Sequence, residues 1–353
     1  MSTCHGFGAH EAHAHLTPMH FERRALRADD VAIDIAYCGV CHSDAHQVDN
    51  DWNNTVFPCV PGHEIVGHVT ATGSDVTRFK VGDRVAVGCL VDSCRHCAPC
   101  EAGEEQHCVE GPTPTYNGRD RITGEITYGG YSQHIVVRES FVLRMPAALD
   151  ARLAAPLLCA GITVWMPMSK SGVGPGSKVA IVGLGGLGHL AVKLAAALGA
   201  EVTVITSSPG KVDDARTLGA NHVLLSNDSK AMLAAANAFD FILDTIPMRH
   251  NVNPYLMLLA RNGKLVVVGA IDLLEPVHGA LLMRNNRSLA GSLIGGIEAT
   301  QELLDFCAER NVLPDCEMID IREIDTAFER MRANDVKYRF VIDMASLKGV
   351  SVD

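Results

Sequence analysis

Lys178-Val-Ala-Ile-Val182 runs directly into Gly183-Leu-Gly-Gly-Leu-Gly188, after which the chain continues in Ala- and Leu-rich sequence to Leu198. A short apolar run, a Gly-x-Gly-x-x-Gly turn and an opening helix, in that order, are the pattern of a dinucleotide-binding βαβ unit. Such a turn aims backbone amides at a pyrophosphate from the N-terminus of the helix. Gly183, Leu184, Gly185, Gly186, Leu187 and Gly188 are therefore the first candidate binding residues. A glycine loop alone is weak evidence, and its position between strand and helix is what gives it weight.

Working outward, residues 201–205, 222–225, 239–244 and 264–269 read as further strands, with helices over 187–198 and 211–218. A sixth strand is expected over 288–293. Strands alternating with helices from about Leu153 predict an α/β, doubly wound parallel sheet. The first ~150 residues differ in texture. Val31-Ala-Ile-Asp-Ile35, Ile65-Val-Gly-His-Val69 and Arg84-Val-Ala-Val-Gly88 are short alternating runs punctuated by Gly and Pro, which predicts a β-rich, partly open barrel. A helix over 298–310 and a strand over 338–342 then return to that first domain. The expected domains are 1–150 with 295–353, and 151–294.

A chain of 353 residues fits two domains of ordinary size. Its net charge of -11 arises from 41 acidic and 30 basic residues without a long run of either sign, which argues against a nucleic-acid partner. No apolar stretch of about 20 residues and no charged-then-apolar N-terminus is found, so neither a membrane nor an export route is expected and the protein is placed in the cytoplasm. The 12 cysteines read as thiols rather than disulfides, because they cluster at metal-ligand spacings. His5, His10, His13, His15 and His20 lack such spacing and read as a solvated N-terminal segment.

Cys94, Cys97, Cys100 and Cys108 stand at Cys-x2-Cys-x2-Cys-x7-Cys spacing. One short loop can wrap four soft thiolates around a single tetrahedral zinc, leaving no position open for water or substrate. The expected role is structural. His96 and His107 lie between these thiols, but four cysteines already complete the tetrahedron.

Catalysis needs an ion with fewer permanent ligands. Cys41, His63 and Cys159 meet that need: two thiolates and a neutral imidazole leave the centre formally uncharged. Glu64 can reach the same metal or stand behind it. Ser43, two residues after Cys41, can both donate and accept a proton. The six remaining cysteines, Cys4, Cys38, Cys59, Cys89, Cys307 and Cys316, read as buried small hydrophobes.

An acidic residue at the end of the second strand would hold the ribose 2′-hydroxyl of NAD. Here the chain reads Ile205-Thr-Ser-Ser-Pro-Gly-Lys211, with Ser207 and Ser208 able to hydrogen-bond a 2′-phosphate and Lys211 able to neutralise it. Asp213 and Asp214 come too late and are expected on the next helix. NADP(H) is the expected cofactor.

Cys38-Gly-Val-Cys-His-Ser-Asp44, Val60-Pro-Gly-His-Glu-Ile-Val-Gly67, Val81-Gly-Asp-Arg-Val85 and the four-cysteine loop together resemble the zinc-dependent medium-chain alcohol dehydrogenase family over nearly the whole chain. Asn53-Asn-Thr-Val-Phe-Pro-Cys-Val-Pro-Gly-His-Glu64 and Leu157-Leu-Cys-Ala-Gly-Ile-Thr163 are most similar to its cinnamyl alcohol dehydrogenase and bacterial aldehyde-reductase branch. The resemblance implies two zinc ions per chain, with Cys41, His63, Glu64 and Cys159 at the second. It also implies a GroES-like barrel as the catalytic domain, a Rossmann nucleotide-binding domain, and a homodimer joined through the edge of the nucleotide-binding sheet. By the same resemblance a proton path leads from Ser43 to His46, a side-chain type that titrates near neutrality. Asp51 either orients His46 or is a solvated loop carboxylate, and Thr163 stands either near the nicotinamide or as an ordinary helix residue.

The expected reaction is reversible hydride transfer between NADPH and a small-molecule aldehyde, giving a primary alcohol. Trp52, Leu90 and Ile297 are candidates for an apolar substrate wall suited to aromatic or medium aliphatic aldehydes; plain core packing is the alternative for each. An NAD-linked polyol or secondary-alcohol dehydrogenase is the second enzyme reading, weakened by the missing acidic residue. A zinc- or NADPH-binding protein without catalysis would be expected to have lost ligands that this chain keeps.

Overall fold

Alternation builds the first sheet. In the strand Asp30–Val40, Val31, Ile33 and Ile35 are buried while Asp34 is exposed, the two-residue period of a strand with one face on a core. The computed structural model describes residues 2–269 and 272–351 and places this strand within a seven-stranded sheet. The strand pairs antiparallel with Ile65–Thr72, His134–Arg138 and Arg339–Asp343. Beyond Ile65–Thr72 come Arg84–Val87 and then Leu143–Arg144, and on the other side Cys316–Asp320 runs parallel to Arg339–Asp343. Register shifts between Ala32 and Ile33 and between Ile35 and Tyr37 mark the irregularities that let such a sheet bend.

The chain divides into two compact units, Met1–Cys159 with Gly295–Asp353, and Ala160–Ile294. Residues 151–159, grouped from the sequence with the nucleotide-binding half, lie in the first unit. They form the short helix Ala151–Ala154 and the 3-10 turn Ala155–Leu158, which carry the chain to Cys159.

Among the N-terminal histidines His5 differs from expectation, whereas His10, His13, His15 and His20 are exposed. Ser2–Gly8 pairs antiparallel with Thr17–Arg23, setting His5 opposite His20 with ring centroids 5.1 Å apart. His5 is buried, so the segment is an ordered hairpin of the first unit that buries one histidine and leaves the others exposed. The sequence signal was weak because the intervening residues carry no short turn motif.

In the second unit a six-stranded parallel sheet has the order His222–Leu225, Glu201–Thr206, Lys178–Val182, Phe239–Asp244, Leu259–Val267, Ser288–Gly291. Val179, Ala180, Ile181 and Val182 are all buried, as a strand covered on both faces requires. The order reverses between Lys178–Val182 and Phe239–Asp244, which is where nucleotides bind in open sheets of this kind. The strand expected over 264–269 is the second half of a longer one, because Asn262 takes a left-handed conformation and the chain stays in the sheet across a register shift. No single helix among the described residues is long and apolar enough to cross a membrane.

Candidate active site

Cys41 is the cap residue before the helix His42–Asp49, His63 and Glu64 lead into the strand Ile65–Thr72, and Cys159 closes the 3-10 turn Ala155–Leu158. The fold brings these four together. All are buried, and each offers a ligand atom within 4.8 Å of the others. The donor set of two sulfurs, an imidazole nitrogen and a carboxylate oxygen suits zinc.

Asp44 organises this cluster, and sequence reasoning gave it no role. Its carboxylate is fully buried. One oxygen accepts from the Gly62 amide at 3.1 Å and faces His63 Nδ1 at 3.0 Å, while the other accepts from the Cys41 amide at 2.9 Å and the Tyr131 hydroxyl at 3.1 Å. A His63 ring that donates through Nδ1 presents the Nε2 lone pair to a metal. Burial opposes charging of His63, but the Asp44 carboxylate outweighs it and moves the imidazole well above its ordinary range. The legible signal was an acidic residue three positions into the helix whose cap is a ligand.

Glu64 meets a second residue that the sequence did not mark. Arg339, from the returning strand Arg339–Asp343, donates through Nη2 to Glu64 Oε1. Both side chains are buried. Glu64 Oε2 has no hydrogen-bond partner among the described residues, and an orphaned buried carboxylate oxygen costs free energy that a cation would remove. Burial pushes the Glu64 carboxyl up to about 7, with Arg339 acting against it. A Cβ on Gly39 would fall 2.0 Å from Glu64 Oε2, so that position must lack a side chain.

A hydrogen bond from the Cys159 thiol holds Cys41 well below the ordinary thiol range, and the same contact pushes Cys159 up. Cys89 also borders the cluster. Its thiol donates to the Leu158 carbonyl at 3.7 Å and reaches Cys159, so the half-buried Cys89 is more than a packed small residue.

The four-cysteine loop is built by the helix Ala98–Glu101 and the 3-10 turn Glu105–His107. Cys97 and Cys100 sulfurs are 3.4 Å apart, and those of Cys94 and Cys100 3.9 Å. Backbone amides of Cys94, Cys97 and Val109 donate to Cys108, Cys94 and Cys97 sulfurs at 3.3, 3.3 and 3.5 Å, a pattern that favours thiolates. The Val109 amide leads the causes that bring Cys97 down to about 6, while burial moves Cys100 up to about 12.

Ser43 and His46 sit on the helix His42–Asp49, both half-buried, and His46 Nδ1 lies 2.6 Å from Asp51 Oδ2. The Trp52 ring stands 5.9 Å from that of His46 and is 40% exposed. Leu90 is buried in the strand Leu90–Asp92, and Ile297 opens the helix Ile297–Arg310 with its amide held by Glu105 at 3.0 Å. The three candidates for the substrate wall thus lie on separate elements.

In the second unit Gly183 has φ +91, and the helix Gly188–Ala197 starts at the last glycine of the loop. A side chain at Gly188 would strike the Gly183 carbonyl at 2.2 Å, while space around Gly185 is open. Lys211 Nζ donates to the Leu184 carbonyl at 2.8 Å, which sets the ammonium beside the glycine loop. Ser207 and Ser208 are exposed at the end of Glu201–Thr206, and Asp213 and Asp214 fall on the helix Val212–Thr217. Thr163 is buried in the helix Ala160–Lys170.

Residues 27–147 match the alcohol dehydrogenase GroES-like domain, and residues 186–309 the zinc-binding dehydrogenase family. The chain is 50% identical over 349 residues to NADP-dependent alcohol dehydrogenase C 1 of Mycolicibacterium smegmatis, covering 99% of this chain and 100% of that one. Among solved structures, a cinnamyl alcohol dehydrogenase from Sorghum bicolor superposes with a TM-score of 0.96 at 45% identity, covering 99% of this chain and 100% of that one. A cinnamyl alcohol dehydrogenase from Helicobacter pylori complexed with NADP(H) gives 0.91 at 39% identity, covering 97% and 98%.

Proposed function

The chain belongs to the zinc-dependent medium-chain alcohol dehydrogenase family, and from that premise we propose that it interconverts aldehydes and primary alcohols with NADP(H), holding two zinc ions per chain. The observation that carries this is the convergence of Cys41, His63, Glu64 and Cys159 around one buried point. Cys94, Cys97, Cys100 and Cys108 hold the structural ion. Once bound, zinc at the first cluster would polarise the substrate oxygen, and NADPH would supply the hydride.

The remaining work belongs to side chains. Asp44 fixes the His63 ring so that Nε2 faces the metal position. Arg339 keeps one Glu64 oxygen engaged, so Glu64 ligates through the orphaned Oε2 or withdraws behind the other three ligands. Ser43 gives a proton at its hydroxyl during reduction and is resupplied by His46, whose ring Asp51 orients. Trp52, Leu90 and Ile297 form the apolar wall that accepts aromatic or medium aliphatic aldehydes.

On the cofactor side, amides of Gly183 to Gly188 take the pyrophosphate, Ser207, Ser208 and Lys211 take the 2′-phosphate, and Thr163 stands near the nicotinamide. We further propose a cytoplasmic homodimer. Support comes from the edge strand Ser288–Gly291 and from Leu273, Met283 and Leu293 near it in sequence, which are 76%, 82% and 60% exposed.

The test is kcat/KM for NADPH and NADH across a panel of aldehydes, with polyols and secondary alcohols offered in the reverse direction. Aldehyde reduction with NADPH should exceed that with NADH by roughly 10²-fold. Faster NAD-linked oxidation of a polyol would overturn the reading.

A further inference from the structure

His96 lies inside the four-cysteine loop but is not needed to complete its tetrahedron. The preceding Arg95 is a non-glycine residue at φ 67, a conformation a side chain adopts only where its surroundings enforce it. Asp92 and Ser93 do so: Arg95 Nε lies 3.3 Å from Asp92 Oδ1, and the Arg95 amide donates to Ser93 Oγ at 3.2 Å. The turn folds the His96 ring back so that Nδ1 donates to the Cys94 carbonyl at 2.7 Å.

That leaves Nε2, which lies 3.0 Å from Glu110 Oε1. Glu110 is itself held in place by Arg121. Arg121 Nη2 donates to its other oxygen at 2.6 Å while Nη1 is anchored on the Gly111 carbonyl at 2.8 Å. The Cys94 sulfur, with ligand atoms of His96 and Glu110, lies in a group whose members are all within 4.8 Å of one another. Thiolate, imidazole and carboxylate make a three-ligand zinc set.

We propose that Cys94, His96 and Glu110 form an exposed divalent-metal site that shares the Cys94 sulfur with the four-cysteine loop and passes zinc into and out of it. The two sites differ in access. Cys94, Cys100 and Cys108 are each 9% exposed or less, whereas the His96 and Glu110 side chains are 72% and 50% exposed. A hydrated ion can keep waters at the outer site while it gains its first protein ligands. The Cys94 thiol loses its proton to solvent on ligation. The retained Cys94 bond then lets the ion exchange its water, His96 and Glu110 ligands for the sulfurs of Cys97, Cys100 and Cys108, each of which gives up any proton it carries to solvent as it binds, without the ion being set free.

The test is zinc release from the intact holoenzyme into excess chromophoric chelator, followed in time. Two phases are expected, one for each ion, and the loop's phase is the one that persists in Cys159→Ala. In His96→Ala/Glu110→Ala the loop's phase should slow about tenfold, with the other phase, the total zinc and the thermal midpoint unchanged. His96→Cys, which restores a soft ligand, should recover most of the rate. The sign discriminates, because residues that merely brace the loop would give faster release and a lower midpoint when removed. Either that result or an unchanged rate would overturn the proposal.

Discussion

The two cysteine clusters of the first unit use the same chemistry in opposite ways. In the loop from Cys94 to Cys108 all four sulfurs arrive within fifteen residues, and backbone amides of the same loop donate to them. Around Cys41 the ligands come from a helix cap, a pre-strand segment and a 3-10 turn 118 positions away (159 − 41). Among their partners, Arg339 comes from further still, 275 positions from Glu64, and Tyr131 stands 87 positions from Asp44. In the proposed reading the first cluster organises its loop through the ion, whereas the second is organised by the fold and would leave a ligand free to exchange. On the proposed roles, structure-building and catalysis would separate by how locally the ligands are supplied.

The largest expected effect falls on the local cluster. Structural zinc contributes about 10–16 kcal/mol of apparent binding free energy to small zinc domains, more than most single domains hold in net stability. Cys100→Ala should be insoluble or lose its cooperative unfolding transition by circular dichroism. A soluble variant melting like the wild type would break the comparison.

The next effect lies beside the dispersed cluster and should leave the fold alone. Ser43→Ala should lower kcat by about 10²-fold, close to 2.7 kcal/mol in the barrier, with zinc content unchanged. Turnover at the wild-type rate would remove Ser43 from the proton path.

In the second unit Lys211→Ala should raise KM for NADPH by about tenfold while leaving NADH nearly untouched, since a charge-assisted contact is worth about 1.5–3 kcal/mol before desolvation is counted. Ser207→Asp should invert the preference. Equal losses with both cofactors would mean that Lys211 serves the glycine loop through the Leu184 carbonyl instead.

The smallest effect comes from a dispersed charge cluster that involves no metal. Asp120 is gripped by Arg27 at 2.7 and 3.0 Å and by the Ile122 and Thr123 amides at 2.9 Å. Burial would raise its pKa, but Arg27 and the amides prevail and hold it well below the ordinary carboxylate range. A depressed carboxylate contributes stability that is present above its unfolded pKa near 4 and is lost as pH falls through the folded value. Asp120→Asn should cost no more than about 1 kcal/mol at pH 7 in urea unfolding, after screening, and the difference should shrink below pH 4.

The sequence was most informative where causes are local. The run Lys178 to Gly188 carries its own strand, turn and helix start, and the Cys-x2-Cys-x2-Cys spacing carries its own tetrahedron. Asp44 and Arg339 were not legible as parts of the site, because their meaning depends on which strand lies beside which. An acidic residue in a first helical turn is ordinarily a cap, and an arginine in a late strand is ordinarily an outward-facing charge. The hairpin that buries His5 was missed for a related reason. Its strands are joined by eight residues, Ala9 to Leu16, and only the fold supplies the surface that covers it.

The central claim, that a dispersed cluster holds an exchangeable catalytic ion independently of the loop, is tested most directly by the zinc content of purified Cys159→Ala measured by atomic emission. The expected result is one zinc per chain in a folded, inactive protein. Two zinc ions in that variant, or none, would contradict the separation of the two clusters.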